Sequence, residues 1–200
     1  MAGNASTPDM AREEAAARAC TLCGTRLPLG PRPILRVSAT ARLLIVSQAP
    51  GTKAHVSSIP FDDASGVRLR AWMGVTPEEF YDQSRIAILP SGLCYPGRLP
   101  NGGDAPPMPV CAPTWHPRLR PLMPHIRLTL LVGSYAQRRE LGSGAMAERV
   151  RDFRATLPDR LPLPHPSWRT AAWEARNPWF GREVLPELRA RVRALLEERL

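Results

Sequence analysis

The run Leu43-Leu44-Ile45-Val46 shows no alternation of apolar and polar side chains, and it breaks directly into the polar turn Ser47-Gln48-Ala49-Pro50-Gly51. A strand with one wet face alternates. An unbroken apolar run is covered on both faces, which is the condition of strands in parallel sheets. Parallel neighbours need long crossovers, usually helical, before the chain returns to the sheet. Three further β-like runs follow at 85–90 (RIAILP), 127–133 (RLTLLVG) and 160–164 (RLPLP).

Helical signals fall between and around these runs. An alanine-rich N-terminal segment, with Asp9 as a candidate cap, predicts a first helix. Asp63 or Ser65 caps a short helix through Leu69, Trp72 and Met73. Thr76, Pro77 and Glu79 form a capping box with proline at the first helical position, predicting a helix over about 77–83. At the C-terminus, Val184, Leu185, Leu188, Val192, Leu195, Leu196 and Leu200 recur at helical spacing over about 182–200, with Pro186 tolerated in the first turn. Alternating strands and helices imply an α/β fold: a three-layer sandwich with a central four-stranded parallel sheet flanked by helices. We expect one domain over residues 1–200, with 1–19 as a helical extension.

Long connections carry the irregular sequence. Residues 20–41, 49–66 and 91–117 are rich in proline and glycine and read as loops that something must hold. No apolar run approaches the roughly 20 residues of a membrane span, and the N-terminus lacks the basic and apolar regions of a secretory signal. The expectation is a cytoplasmic monomer without a membrane partner.

The formal charge is +9, and Lys53 is the one lysine among 27 basic residues. An arginine-rich surface suits a polyanion such as nucleic acid, although the same excess fits a solvated basic surface. The four cysteines are Cys20 and Cys23, spaced C-x2-C, and the distant Cys94 and Cys111. Four thiolates close a tetrahedral zinc site or bind an iron–sulfur cluster. A redox pair, or buried thiols unrelated to one another, fit the same spacing.

Three strand ends deliver polar groups to one edge of the expected sheet: Ser47 and Gln48, Ser91, and His165 with Ser167. Glycine-rich nucleotide signatures are absent. The turns "SQAPG" and "PHPSW" resemble the first and second motifs of the uracil-DNA glycosylase superfamily. The four-cysteine pattern is similar to that of the family 4 enzymes, and "SIPFDDASG" resembles their loop after the first motif. The similarity spans roughly residues 20–200.

The resemblance implies a DNA glycosylase acting on uracil or a related deaminated base, on single-stranded or duplex DNA. It implies a [4Fe-4S] cluster, with zinc as the alternative, on Cys20, Cys23, Cys94 and Cys111. Phe61 would stack on the extruded base, and His165 would donate to the departing base anion. The backbone around Gln48, Ala49 and Pro50, with Ser91, would shape the base pocket. Ser134, Ser167 and Arg169 are candidate phosphate contacts, and Trp168 is a candidate wedge or loop anchor. The sequence departs from the family pattern at Gln48 and Ala49, where a carboxylate is usual, and at Pro90, where a base-reading asparagine is usual. Gln48 would then orient water without deprotonating it, and His55, Asp62 or Asp63 would replace the missing base. Two other readings remain open: a DNA- or damaged-base-binding module of the same fold without turnover, and a zinc-stapled α/β hydrolase.

Overall fold

In the computed structural model, which describes residues 7–100 and 102–198, the apolar runs become the four strands of one sheet. These are β1 (Leu43–Val46), β2 (Ile86–Ile88), β3 (Leu128–Val132) and β4 (Arg160–Leu163). Their order is β2-β1-β3-β4, and every pairing is parallel. Each residue of β1, β2 and β3 is buried, as an unalternating strand requires.

The helices are α1 (Thr7–Arg18), α2 (Thr52–Ser57), α3 (Ala64–Met73), α4 (Pro77–Tyr81), α5 (Cys111–Leu119), α6 (Ser134–Leu141), α7 (Met146–Arg151), α8 (Thr170–Arg176) and α9 (Leu185–Glu197). Alternate strand residues divide between two cores. Leu43, Ile45, Ile86, Ile88, Leu130 and Leu161 meet Leu69, Trp72 and Phe80 of α3 and α4 and Leu188 and Val192 of α9. Leu44, Val46, Ala87 and Leu131 meet Met10 and Ala17 of α1, Trp115 and Leu119 of α5, and Ala136 of α6. The result is the three-layer α/β sandwich, with each fully buried leucine or phenylalanine contributing roughly 1.5–3 kcal/mol. Among the described residues, no helix is long and apolar enough to cross a membrane.

Side-chain caps set the starts of α3 and α4. The Asp63 carboxylate accepts from the Gly66 amide at 2.9 Å and starts α3. Thr76 and Glu79 exchange side-chain and backbone hydrogen bonds at the start of α4. A π-helical turn, Phe180–Val184, precedes α9, and Pro186 occupies its first turn. Asp9 does not cap α1; it lies inside the first turn and pairs with Arg12 at 2.8 Å. Residues 1–6 and the expected packing residue Leu200 lie outside the described residues.

Two segments read as irregular contain helices. α2 interrupts 49–66, and α5 begins at Cys111 despite Pro113 and Pro117. Pro113 falls in the first turn, where a missing N–H is harmless. Cys111, Trp115 and Leu119 form a buried stripe at four-residue spacing that holds α5 against the sheet.

The loop entering α3 is under local strain. Phe61 has φ +58°, a left-handed conformation that a bulky side chain rarely adopts. Its backbone is clamped: the Tyr81 hydroxyl lies 3.1 Å from the Pro60 carbonyl and 3.3 Å from that of Phe61. A Cβ at position 66 would fall 1.8 Å from the Phe61 carbonyl oxygen, so only glycine fits there. Gly66→Ala should therefore lower the denaturant unfolding midpoint, with a loss of about 1–3 kcal/mol. An unchanged midpoint would show that the Phe61 backbone is not locked against α3.

Candidate functional site

The chain runs from β1 toward β2 on one side and returns to β3 on the other, and open α/β sheets form a crevice at the carboxyl ends of such diverging strands. Pairing continues past the strands. Ser91 N donates to Ser47 O and Gly92 N to Gln48 O, each at 2.8 Å, so the first turn lies against the segment leaving β2. On the other side, Gly133 N donates to Leu163 O at 2.9 Å. Gly133 has φ +85°, and a Cβ there would approach the His165 Cβ to 3.3 Å, so the glycine lets α6 begin against His165. The His165 carbonyl accepts from the Ser167 amide and the Thr170 hydroxyl, which fixes the turn carrying the imidazole.

Two spaces open at this edge. The inner one is lined by Ala49, Pro50, Phe61, Pro90, Asp63 and His165, among others. The outer one is a groove bordered by Gln48, Arg98, Ser167, Trp168 and Arg169. His165, Asp104 and Ser65 border both, so the three stand at the neck between them. Trp168 is 77% exposed on the groove, with the Arg169 guanidinium 5.3 Å from its ring centre.

Burial pushes the His165 pKa below its ordinary 6.5, opposed by the Asp63 and Asp104 carboxylates. The ring is therefore neutral at neutral pH, with one N–H to donate. Phe61 presents its ring to the pocket, packed edge-on against Phe80 at 6.0 Å. Gln48 turns outward: its Nε2 donates to the Ala105 carbonyl at 3.0 Å.

The structure thus brings together Gln48, Ala49, Pro50, Phe61, Asp63, His165, Ser167, Trp168 and Arg169 of the residues singled out from sequence. It does not bring in His55, Asp62, Ser91 or Ser134. His55 lies on α2 with its ring 6.0 Å from that of Tyr95, and burial and Arg32 hold its pKa down. Its Nδ1 has no partner among the described residues. Asp62 is exposed and borders neither space. Ser91 is buried behind the pocket, and Ser134 is exposed at the start of α6 without lining either space. The neck residue that sequence reasoning missed is Asp104. Its signal was present, since it is the only acidic residue between Cys94 and Cys111.

All four cysteines border a second internal space, beside Leu93, Met108 and Trp115. The Cys111 sulfur accepts from the Leu93 amide at 3.2 Å. Burial pushes the thiol of Cys94 up to about 11 and that of Cys111 to about 12, with the other cysteines adding to the rise. The thiols ring a space rather than a point: among the described residues, no three His, Cys, Asp or Glu side chains form a set that could hold a metal ion.

Residues 36–189 match the model of the Uracil DNA glycosylase superfamily, and the chain belongs to that superfamily.

The pocket floor also makes the fold sensitive to acid. His116 of α5 places Nε2 3.1 Å from the Pro90 carbonyl, which can only accept, so Nε2 carries the proton. Nδ1 is buried without a partner among the described residues. Burial lowers the His116 pKa from 6.5 to about 4. The unfolded chain therefore takes up this proton first as pH falls. The contribution to stability is complete above about pH 6.5 and is lost progressively toward about pH 4, by a few kcal/mol. Denaturation series across that range should show the loss, and His116→Gln should flatten it; an unaltered slope in the variant would contradict the assignment.

Proposed function

We propose that the protein is a DNA glycosylase that hydrolyses the N-glycosidic bond of uracil or a related deaminated base in DNA, and that Cys20, Cys23, Cys94 and Cys111 hold a [4Fe-4S] cluster. The observation that carries the first part is the neck. A pocket walled by Phe61 and His165 opens into a groove edged by Arg98, Arg169 and Trp168. A base extruded from DNA in the groove would enter that pocket, at an unstacking cost of a few kcal/mol.

Cleaving the glycosidic bond leaves negative charge on the base and positive charge on the sugar. A neutral imidazole N–H at the neck stabilises the first, and the removal of one such donor typically costs about 10²–10³ in rate. Stacking on Phe61 offsets part of the unstacking. Arg98 and Arg169 suit phosphates, and the exposed Trp168 suits the gap left in the base stack.

The cluster reading rests on the four thiols bordering one space and on the Leu93 amide donating to the Cys111 sulfur, an arrangement suited to thiolate ligands. When bound, the cluster supplies metal–thiolate bonds that tie the loop at Cys20 and Cys23 to the segment at Cys94 and to the start of α5. The residues of the neck carry the bond cleavage.

The test is incubation of the purified protein with single-stranded and duplex oligonucleotides bearing uracil, hypoxanthine or xanthine, with abasic product read after alkaline cleavage. At least one base should be excised. His165→Ala should slow single-turnover excision about 10²–10³-fold while leaving DNA affinity nearly unchanged, and affinity should fall steeply with salt. Salt-sensitive binding without excision would favour the binding-module reading, and absence of binding at low salt would overturn both. Protein prepared without oxygen should be brown and lose its visible absorbance in Cys111→Ala; a colourless protein with one tightly bound zinc would replace the cluster with zinc.

A further inference from the structure

We infer that Asp104 is a catalytic carboxylate of this protein, and that Gln48 is the positioning residue that holds it at the neck. The inference rests on the glycosylase reading above.

Asp104 stands on a built turn. Arg98 and Asp104 form an antiparallel bridge. Leu99 N donates to Gly103 O at 2.7 Å, Gly102 N to Leu99 O at 2.9 Å, and Ala105 N to Gly97 O at 2.9 Å. Gly97 and Gly102 adopt φ +96° and +83°, which the tight reversal requires. The Gln48 amide then fastens the returning arm through the Ala105 carbonyl, one residue beyond Asp104. This accounts for a glutamine at the mouth of β1: its amide nitrogen donates to a carbonyl, which a carboxylate could not do.

Position decides the role. A nucleotide whose base lies in the inner pocket and whose backbone lies in the groove has its glycosidic bond at the neck. Of the three residues there, His165 is suited to the departing base and Asp104 is the carboxylate. Asp104 is exposed to solvent, and none of the described residues hydrogen-bonds or ion-pairs with its carboxylate. Asp63 is the competing group, but its Oδ1 is engaged by the Gly66 amide and it borders only the inner pocket. The two Oδ2 atoms face a common spot: each lies 3.8 Å from the position a Cβ would take on Gly51.

In the step this geometry supports, the C1′–N bond breaks and its electron pair leaves with the base, stabilised by the His165 N–H. Asp104 stabilises the positive charge on the sugar and orients a water molecule, whose oxygen bonds to C1′. The proton of that water passes to the Asp104 carboxylate and from there to solvent, while the base anion takes a proton from water.

The experiment uses single-turnover excision by the full chain on whichever uracil, hypoxanthine or xanthine oligonucleotide the wild type cleaves, with affinity and unfolding midpoint measured alongside. Asp104→Asn should lower the rate about 10²–10⁴-fold, with affinity and midpoint nearly unchanged. Asp63→Asn, which preserves the helix cap, should lose less. Gln48→Ala should slow the wild type but add nothing in the Asp104→Asn background, because it acts through that carboxylate; a purely structural role would add in full. Asp104→Asn retaining the wild-type rate, or losing less than Asp63→Asn, would overturn this inference alone. A wild type that excises none of the three bases would overturn the glycosylase reading and this inference with it.

Discussion

In-register parallel pairing of β1 with β2 and β3 is the constraint on which the site depends. It aligns Val46 with Leu131, and Val132 with Leu163, so the turns leaving β1, β3 and β4 emerge at one edge. Residues more than a hundred positions apart in the chain then share one crevice, with no contact between Gln48 and His165 needed to bring them there. Backbone pairing beyond the strands extends the same logic. Ser47 and Gln48 accept from Ser91 and Gly92, which places Pro90 in the pocket wall and directs the following residues toward the cysteine space.

Electrostatics at the edge divides two jobs. His165 is enclosed and held neutral, while Asp104 remains in contact with water. In the proposed reaction the imidazole would donate to the departing base and the carboxylate would stand beside the sugar, so the two groups would serve charges that part in opposite directions. The family's usual first-motif carboxylate is replaced here by an amide that fastens another carboxylate-bearing loop.

Much of this was legible in the sequence because it follows from short-range rules. The unbroken run at Leu43, the capping box at Thr76, the Asp63 cap and the spacing of Leu185, Leu188 and Val192 each report local geometry directly. The motifs around Gln48 and His165 announced the edge. What stayed hidden depends on three-dimensional placement. α5 was obscured by Pro113 and Pro117, whose cost depends on position within a helix. His55 and Asp62 stood close in sequence to the first motif, yet α2 turns His55 toward Tyr95, and the left-handed Phe61 leaves Asp62 facing solvent. Asp104 was passed over because a glycine- and proline-rich loop gives no periodicity from which to read where its one carboxylate will land.

The central claim is that an extruded base is held between Phe61 and His165 with its sugar beside Asp104. A crystal structure of the protein with an oligonucleotide carrying a non-hydrolysable deoxyuridine analogue tests it most directly. The account predicts the base enclosed in the inner pocket, stacked on Phe61, with a His165 ring nitrogen in hydrogen-bond contact with a base carbonyl and the Asp104 carboxylate facing C1′. A base left stacked in the DNA, or bound with its sugar remote from Asp104 and His165, would contradict it.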